Sequence, residues 1–373
     1  MARSSSLPSN SSLLQNARCF AGIFIFTLTF LLQGCATPQT AALRAQFPTN
    51  LPRQAELESV PYYAQEAHQC GPASLAMAFG AAGKTIDPQQ IEPQVYLPDK
   101  LGTLQVEMLA ATRRNGLLAY ELDPQLSALL GEIAAGHPVI ILQNLGLSWY
   151  PVWHYAVAIG YDFEREQLIL RSGPERRQAM PLTTFEHTWA RSNYWGMLIL
   201  PPYQMPAHAE EERYIAAALA LEQTKQIDAA HLAYAAAMQH WPNNLNASMG
   251  AGNTAYALGH FSTAESAFRN AAQHHPESGA AFNNLADTLA QQKKYKPALA
   301  AARRAVQIGG DQRATFVQTL HEIETKVAAQ TPPKKVSQKS VVKKQIAATK
   351  SAAKKSAMKK SVTKIKPQPA DAE

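Results

Sequence analysis

Residues 210–327 repeat on themselves every 34 residues, and that period leaves few folds open. Pro242 and Pro276 stand 34 apart. So do Ala230, Ala264 and Ala298; Ala237, Ala271 and Ala305; and Tyr234, Phe268 and Ala302. The segment is rich in Ala, the strongest helix former. Gly252 and Ala286 share one small-residue position, which lets paired helices approach closely, and Gly259 falls at a turn. A Pro closes the second helix of a unit, because it removes an N–H and clashes with the preceding turn. One such helix pair cannot bury its own apolar face, so successive pairs must stack. Glu322 to Ala328 is expected to serve as a capping helix.

This pattern is similar to tetratricopeptide repeats, which are helix-turn-helix units of that length. The third unit departs by carrying Gly310 where Pro is expected. The alternative is a generic Ala-rich helical bundle. The expected domain spans 210–328, is all-α, and resembles repeats that dock peptides or proteins.

Upstream, residues 57–203 read as one α+β domain. Three helices are expected first: Ala73–Ala82 stopping near Gly83, Leu104–Asn115 ending at Gly116, and Pro124–Ala135 closed by Gly136. The period then changes. Pro138 to Gln143, His154 to Gly160, Leu168 to Arg171 and Tyr194 to Leu200 are short β-branched or apolar runs, which predicts buried strands. Asp162 to Gln167 is a charged turn between two of them. Helices first and antiparallel strands afterwards fit α+β better than a parallel doubly wound sheet.

The termini differ from both domains. Residues 331–373 hold twelve Lys and two acids, a net of +10 within a chain of formal charge +7. The other 330 residues therefore sum to −3. The basic balance belongs to a tail, and nucleic-acid binding by the fold is not expected. The tail, 329–373, has almost no large apolar residues and is expected to be disordered. Residues 1–35 read as a secretory signal, with Arg3 and Arg18 ahead of or flanking an apolar run from Phe20 to Leu32 that is too short to span a bilayer. The run ends in Leu32-Gln33-Gly34-Cys35, which resembles a bacterial lipobox. That resemblance implies cleavage before Cys35 and its lipidation. Ala36 offers no inner-membrane retention signal, so the expected location is the outer membrane facing the periplasm. Residues 36–56 read as a polar linker.

The chain has three cysteines: Cys19, Cys35 and Cys70. A lipidated Cys35 and a removed Cys19 leave Cys70 as an unpaired thiol in an oxidising compartment. Cys70-Gly71-Pro72 opens an apolar helix, and Pro suits a first helical turn. The positive end of that helix favours a thiolate, the reactive form of cysteine. A buried structural cysteine is the competing reading. Gln65, just upstream, is a candidate oxyanion donor, with Gln69 as a rival. Far downstream, His154 heads a strand. Cys on an early helix and His on a late strand is the order that papain-like sites need. His154 is then the candidate general acid–base. The residues Asn144 to Trp153 form an aromatic-rich loop that either walls a cleft or packs in the core. Paired metal-ligand spacings, a phosphate loop and a dinucleotide fingerprint are not found, so no metal or cofactor is expected.

These residues resemble the bacteriocin-processing, double-glycine type of papain-like cysteine peptidase. The shared features are Val60-Pro61, Gln65, Cys70-Gly71-Pro72-Ala73, Gly136-His137-Pro138-Val139-Ile140, His154-Tyr155 leading to Gly160-Tyr161, and the Leu182, Phe185, Trp189 spacing. The resemblance implies a papain-like fold with a Cys–His–Asp triad, an oxyanion Gln and peptide-bond hydrolysis. Where the family's Asp is expected, this chain has Ser172. Asp162 is the other candidate, although it lies in a hairpin turn. Two functions remain open. One is a membrane-anchored periplasmic cysteine peptidase acting on a peptide or protein substrate, with repeats for a protein partner. The other is a catalytically weak or inactive peptidase-like scaffold whose repeats bind partner proteins.

Overall fold

A computed structural model describes residues 37–65 and 69–330. The signal segment with Cys35, and the tail from 331 onward, lie outside the described residues. Among the described residues no helix is long and apolar enough to cross a membrane.

The first body is a seven-stranded antiparallel sheet with helices on both faces. Its strands are β1 (Gln54–Glu56), β4 (Leu118–Glu121), β5 (Val139–Asn144), β6 (Trp153–Asp162), β7 (Gln167–Ser172), β8 (Glu175–Pro181) and β9 (Gly196–Leu200). The spatial order is β4-β9-β5-β6-β7-β8, and β1 pairs with the end of β6. Two short strands, β2 (Tyr96–Leu97) and β3 (Gly102–Thr103), form a separate ribbon.

The central strands show why this sheet is buried on both sides. Side chains alternate across a strand. In β5, Val139 and Ile141 join one core while Ile140 and Leu142 join the other. In β6, Ala156 and Ala158 face the first core, and Tyr155, Val157 and Ile159 face the second. The second core is covered by α2 (Cys70–Ala81), α3 (Pro88–Val95) and α4 (Gln105–Arg114). Leu75, Met77 and Phe79 of α2 are completely buried, each worth about 1.5–3 kcal/mol relative to exposure. The first core is covered by α1 (Pro38–Ala45), α5 (Leu126–Ala134) and α6 (Leu182–Ala190).

The three predicted helices of this domain are present with ends shifted by a few residues. The glycines expected to terminate them, Gly83, Gly116 and Gly136, all have positive φ, the conformation a helix C-terminus demands. The linker reading of 36–56 is corrected. That stretch contains α1 and β1, and Leu43 and Thr40 of α1 are buried. Its polar composition concealed an interaction across the chain: the buried Glu186 carboxylate accepts the N–H groups of Gln39 at 2.9 Å and Thr40 at 2.7 Å. A carboxylate at a helix N-terminus supplies the acceptor that the first turn lacks. Strand β8 was also not anticipated. It is an edge strand reading Glu-Arg-Arg-Gln, with mostly exposed residues, and charge is a normal property of such edges.

The second body stacks three helix pairs. They are α7 (Glu211–Gln223) with α8 (Ile227–His240), α9 (Leu245–Ala257) with α10 (Phe261–His274), and α11 (Gly279–Gln291) with α12 (Tyr295–Ile308). The cap α13 runs Arg313–Gln330, much longer than the expected 322–328. Each repeated Ala at 230, 264, 298, 237, 271 and 305 is fully buried. Gly252 lies under the Phe268 ring, where an added Cβ would sit 2.4 Å from a ring carbon. The turn position of each unit, Lys225, Gly259 and Lys293, is left-handed in every case. Glycine adopts that conformation without the strain a Cβ adds.

The two bodies are not beads on a string. Tyr214, Ile215, Ala218 and Leu221 of α7 belong to the same apolar cluster as Leu118 and Tyr120 of β4. The connector is pinned by Glu132, which is fully buried. Its carboxylate accepts the N–H groups of Ala207 and His208 at 3.0 Å each and lies 2.8 Å from His137 Nδ1.

Candidate functional site

Cys70 is the first residue of α2, and its thiol lies against Tyr155 of β6. The backbone N–H of Tyr155 and the first N–H groups of α2 approach the sulfur and favour thiolate. Burial outweighs them and pushes the thiol above its ordinary value. Gly71 permits the close packing at this point, since a Cβ there would stand 2.4 Å from Thr103 Oγ1.

His154 is the second residue of β6, paired with Gln143 across the sheet. Its Nε2 lies 3.0 Å from Ser172 Oγ. Burial lowers the imidazole below its ordinary value. Neutral forms are thus favoured at both the sulfur and the ring, and no hydrogen bond joins them among the described residues. Ser172 reaches the ring because β7 runs past its last pair with β6, Val157 with Arg171, and is irregular in its pairing with β8 between Leu170 and Ser172. Such irregularities re-aim side chains.

The two candidates for the third position therefore separate. Asp162 lies at the far end of β6, eight residues from His154, roughly 26 Å at the usual rise of a strand. Its Oδ1 accepts the Arg165 N–H at 3.0 Å. Asp162 is a hairpin residue, and that candidacy is corrected. Gln65 and Gln69 separate too. Gln69 turns away and donates to Glu92 of α3 at 3.5 Å. Gln65 lines the cleft with Cys70 and His154. Its Oε1 accepts the Gly173 N–H at 2.8 Å, which fixes the orientation of the amide, and its Nε2 donates to Ser74 Oγ at 3.2 Å. The same Nε2 also donates to the Tyr155 carbonyl at 3.4 Å, so to serve an oxyanion one of its two N–H groups has to leave Ser74 or Tyr155.

The cleft has a volume of about 820 Å³. Cys70, His154, Gln65, Thr103, Trp153 and Arg191 contribute to its walls. Among the described residues no Asp or Glu lines it, whereas Lys100 and Arg191 do. The aromatic loop stands beside it: Trp149 and Tyr150 are 79% and 70% exposed. The wall reading of the loop therefore prevails over core packing. Asn144 closes the loop by accepting from Gly146 and Val152, and Arg191 donates to the Asn144 and Gly146 carbonyls at 3.0 and 2.6 Å. Sequence reasoning did not identify Thr103 or Arg191, since neither lies in a recognisable pattern near Cys70 or His154. Among the described residues no group of three or more His, Cys, Asp or Glu side chains is placed to hold a metal ion.

Comparison with known proteins supports both bodies. Residues 57–197 match the family model described as the Peptidase C39-like family, and residues 250–313 match a tetratricopeptide repeat model. No curated protein matches the chain at a significant level. Among solved structures, a C39-like peptidase candidate from Bacillus anthracis is 19% identical, with 39% of this chain and 97% of that chain covered and a TM-score of 0.35. The type III secretion chaperone SycD of Yersinia enterocolitica, solved with a peptide of the translocator YopD, is 16% identical, with 31% and 92% covered and a TM-score of 0.29. The tetratricopeptide protein YrrB, described with an unusual peptide-binding site, is 23% identical, with 31% and 58% covered and a TM-score of 0.28. The chain thus carries a C39-like peptidase domain followed by a tetratricopeptide-like repeat domain.

Proposed function

We propose that this chain is a peptidase-like scaffold of weak or no turnover, whose repeats bind partner proteins. The observation that carries this reading is the hydroxyl of Ser172 at His154 Nε2. A hydroxyl orients an imidazole but cannot stabilise an imidazolium as a carboxylate does. The upward shift of the thiol and the downward shift of the ring agree with it. Shifts in these directions reduce the share of thiolate, the reactive form, at neutral pH. In keeping with the lipobox resemblance, the scaffold is proposed to be held by lipidated Cys35 in the cell envelope, at the outer membrane facing the periplasm.

A second reading is peptide-bond hydrolysis of the double-glycine-processing type. It is favoured by Cys70, His154 and Gln65 sharing one open cleft. There His154 takes the thiol proton, the sulfur attacks the carbonyl, the ring returns the proton to the leaving amine, and water activated by the ring then cleaves the thioester to release the acid and restore the thiol. A thiol-directed probe applied at pH 7 to the wild-type chain and to Cys70→Ala separates the two. The scaffold reading expects labelling no faster than that of an ordinary buried thiol and no turnover of a mixed peptide pool. Rapid labelling together with peptide cleavage, both abolished in Cys70→Ala, sinks it in favour of hydrolysis.

A further inference from the structure

A second cavity, of about 370 Å³, lies in the repeat body between α9, α11 and α13. Among the described residues, its only charged ones are acids, Asp287 and Glu322. Its remaining wall is largely amide and hydroxyl: Asn253, Asn283, Asn284 and Tyr256 are all present. Asn284 Nδ2 donates to Asn253 Oδ1 at 3.0 Å, and Tyr256 donates to Asp287 at 2.6 Å. Asn283 Oδ1 is buried with no hydrogen-bond partner. A buried orphan acceptor is unfavourable unless something donates to it. The groove therefore asks for a cationic hydrogen-bond donor.

The chain carries such a donor immediately downstream. We infer that the groove takes the chain's own lysine-rich tail, residues 331–373, as an intramolecular ligand that competes with external partners. The inference rests on the reading of the repeats as a docking surface and adds its regulation. Three observations favour this occupant. The tail is charged +10, while the rest of the chain sums to −3. It begins directly after α13, which itself forms one wall of the groove. Glu322 is eight residues before the end of that helix, about 12 Å at the helical rise, so a tail of 43 residues reaches back with length to spare. Tethering at such short range gives an effective concentration in the millimolar range. A weak contact then suffices to keep the groove occupied.

The test uses the full chain and a fluorescent synthetic peptide of residues 331–373 as probe. Two proteins are compared: wild type, and a variant with all twelve tail lysines changed to Gln. The peptide is expected to bind the neutral-tail protein at least about tenfold more tightly, because no tethered competitor remains. That binding is expected to weaken in high salt and to be lost when Asp287→Asn and Glu322→Gln are added. Equal binding to both proteins overturns the tail as occupant but leaves the repeats as a docking surface. No binding to either overturns both readings of the groove. A second readout needs no substitution. Carbodiimide coupling of dilute wild-type chain is expected to join tail lysines to Asp287 or Glu322 within the monomer. Links confined to dimers, or to other acids only, overturn the inference.

Discussion

His154 Nε2 stands 3.0 Å from the hydroxyl of Ser172, at the turn where β7 ends. That contact orients the ring, and burial holds the imidazole below its ordinary value. Changing Ser172→Asp supplies the missing carboxylate at a site already aimed at the imidazole. We expect labelling of Cys70 by a thiol probe at pH 7 to rise by roughly tenfold or more, the scale on which an orienting carboxylate acts in triads. An unchanged labelling rate, in a variant that remains folded, would show that Ser172 has no part in tuning the site.

The pH dependence of that reaction has a definite sign. Burial raises the Cys70 thiol above its ordinary value of 9.0 and lowers His154 below 6.5. Alkylation of Cys70 is therefore expected to climb as a single ionisation on the alkaline side. An activated ion pair would instead give a plateau reaching into acid. The same shifts act on stability. The contribution of His154 is present above the ordinary imidazole value and is lost as pH falls through the lower folded value. That of Cys70 is present below the ordinary thiol value and is lost as pH rises through the higher folded one. Alkylation rates from pH 5 to 10 check the first point, and urea midpoints over the same span check the second.

Gly252→Ala is expected to loosen the repeat stack. Its new Cβ would meet the Phe268 ring at 2.4 Å, and that ring is buried and cannot swing aside. Overpacking of this kind costs about 1–3 kcal/mol. A fall in the urea midpoint is the expected result. No change would mean that α9 and α10 can separate freely.

Glu186→Gln tests how the first helix is held. The buried carboxylate receives two N–H groups from α1, and hydrogen bonds to a charged acceptor are worth about 1.5–3 kcal/mol each. Faster hydrogen exchange at Gln39 and Thr40 is expected, with the central strands unaffected. Exchange that stays slow at both amides would show that Leu43 and its apolar neighbours hold α1 alone.

The legible part of this protein was the part written in local periods. The 34-residue spacing of Ala230, Ala264 and Ala298 marked the repeat body, because each buries its methyl against the partner helix. The short β-branched run from Val139 to Leu142 marked a buried strand, and Cys70-Gly71-Pro72 marked a helix start beside a thiol. Such features are composition and spacing patterns along the chain, so the amino-acid order alone determined them.

Contacts between distant segments were decided only by the tertiary structure. The strand β1 and the helix α1 form because Gly160 and Glu186, more than a hundred residues away, receive them. Asp162 and Ser172 were both candidates on paper, the first already marked as a turn residue, and the run of β6 carries Asp162 away from His154 while the end of β7 brings Ser172 to it. The protonation of Cys70 was likewise invisible in its motif. Helix-terminus attraction is a local effect, whereas the burial that outweighs it comes from segments brought against Cys70 only in the fold.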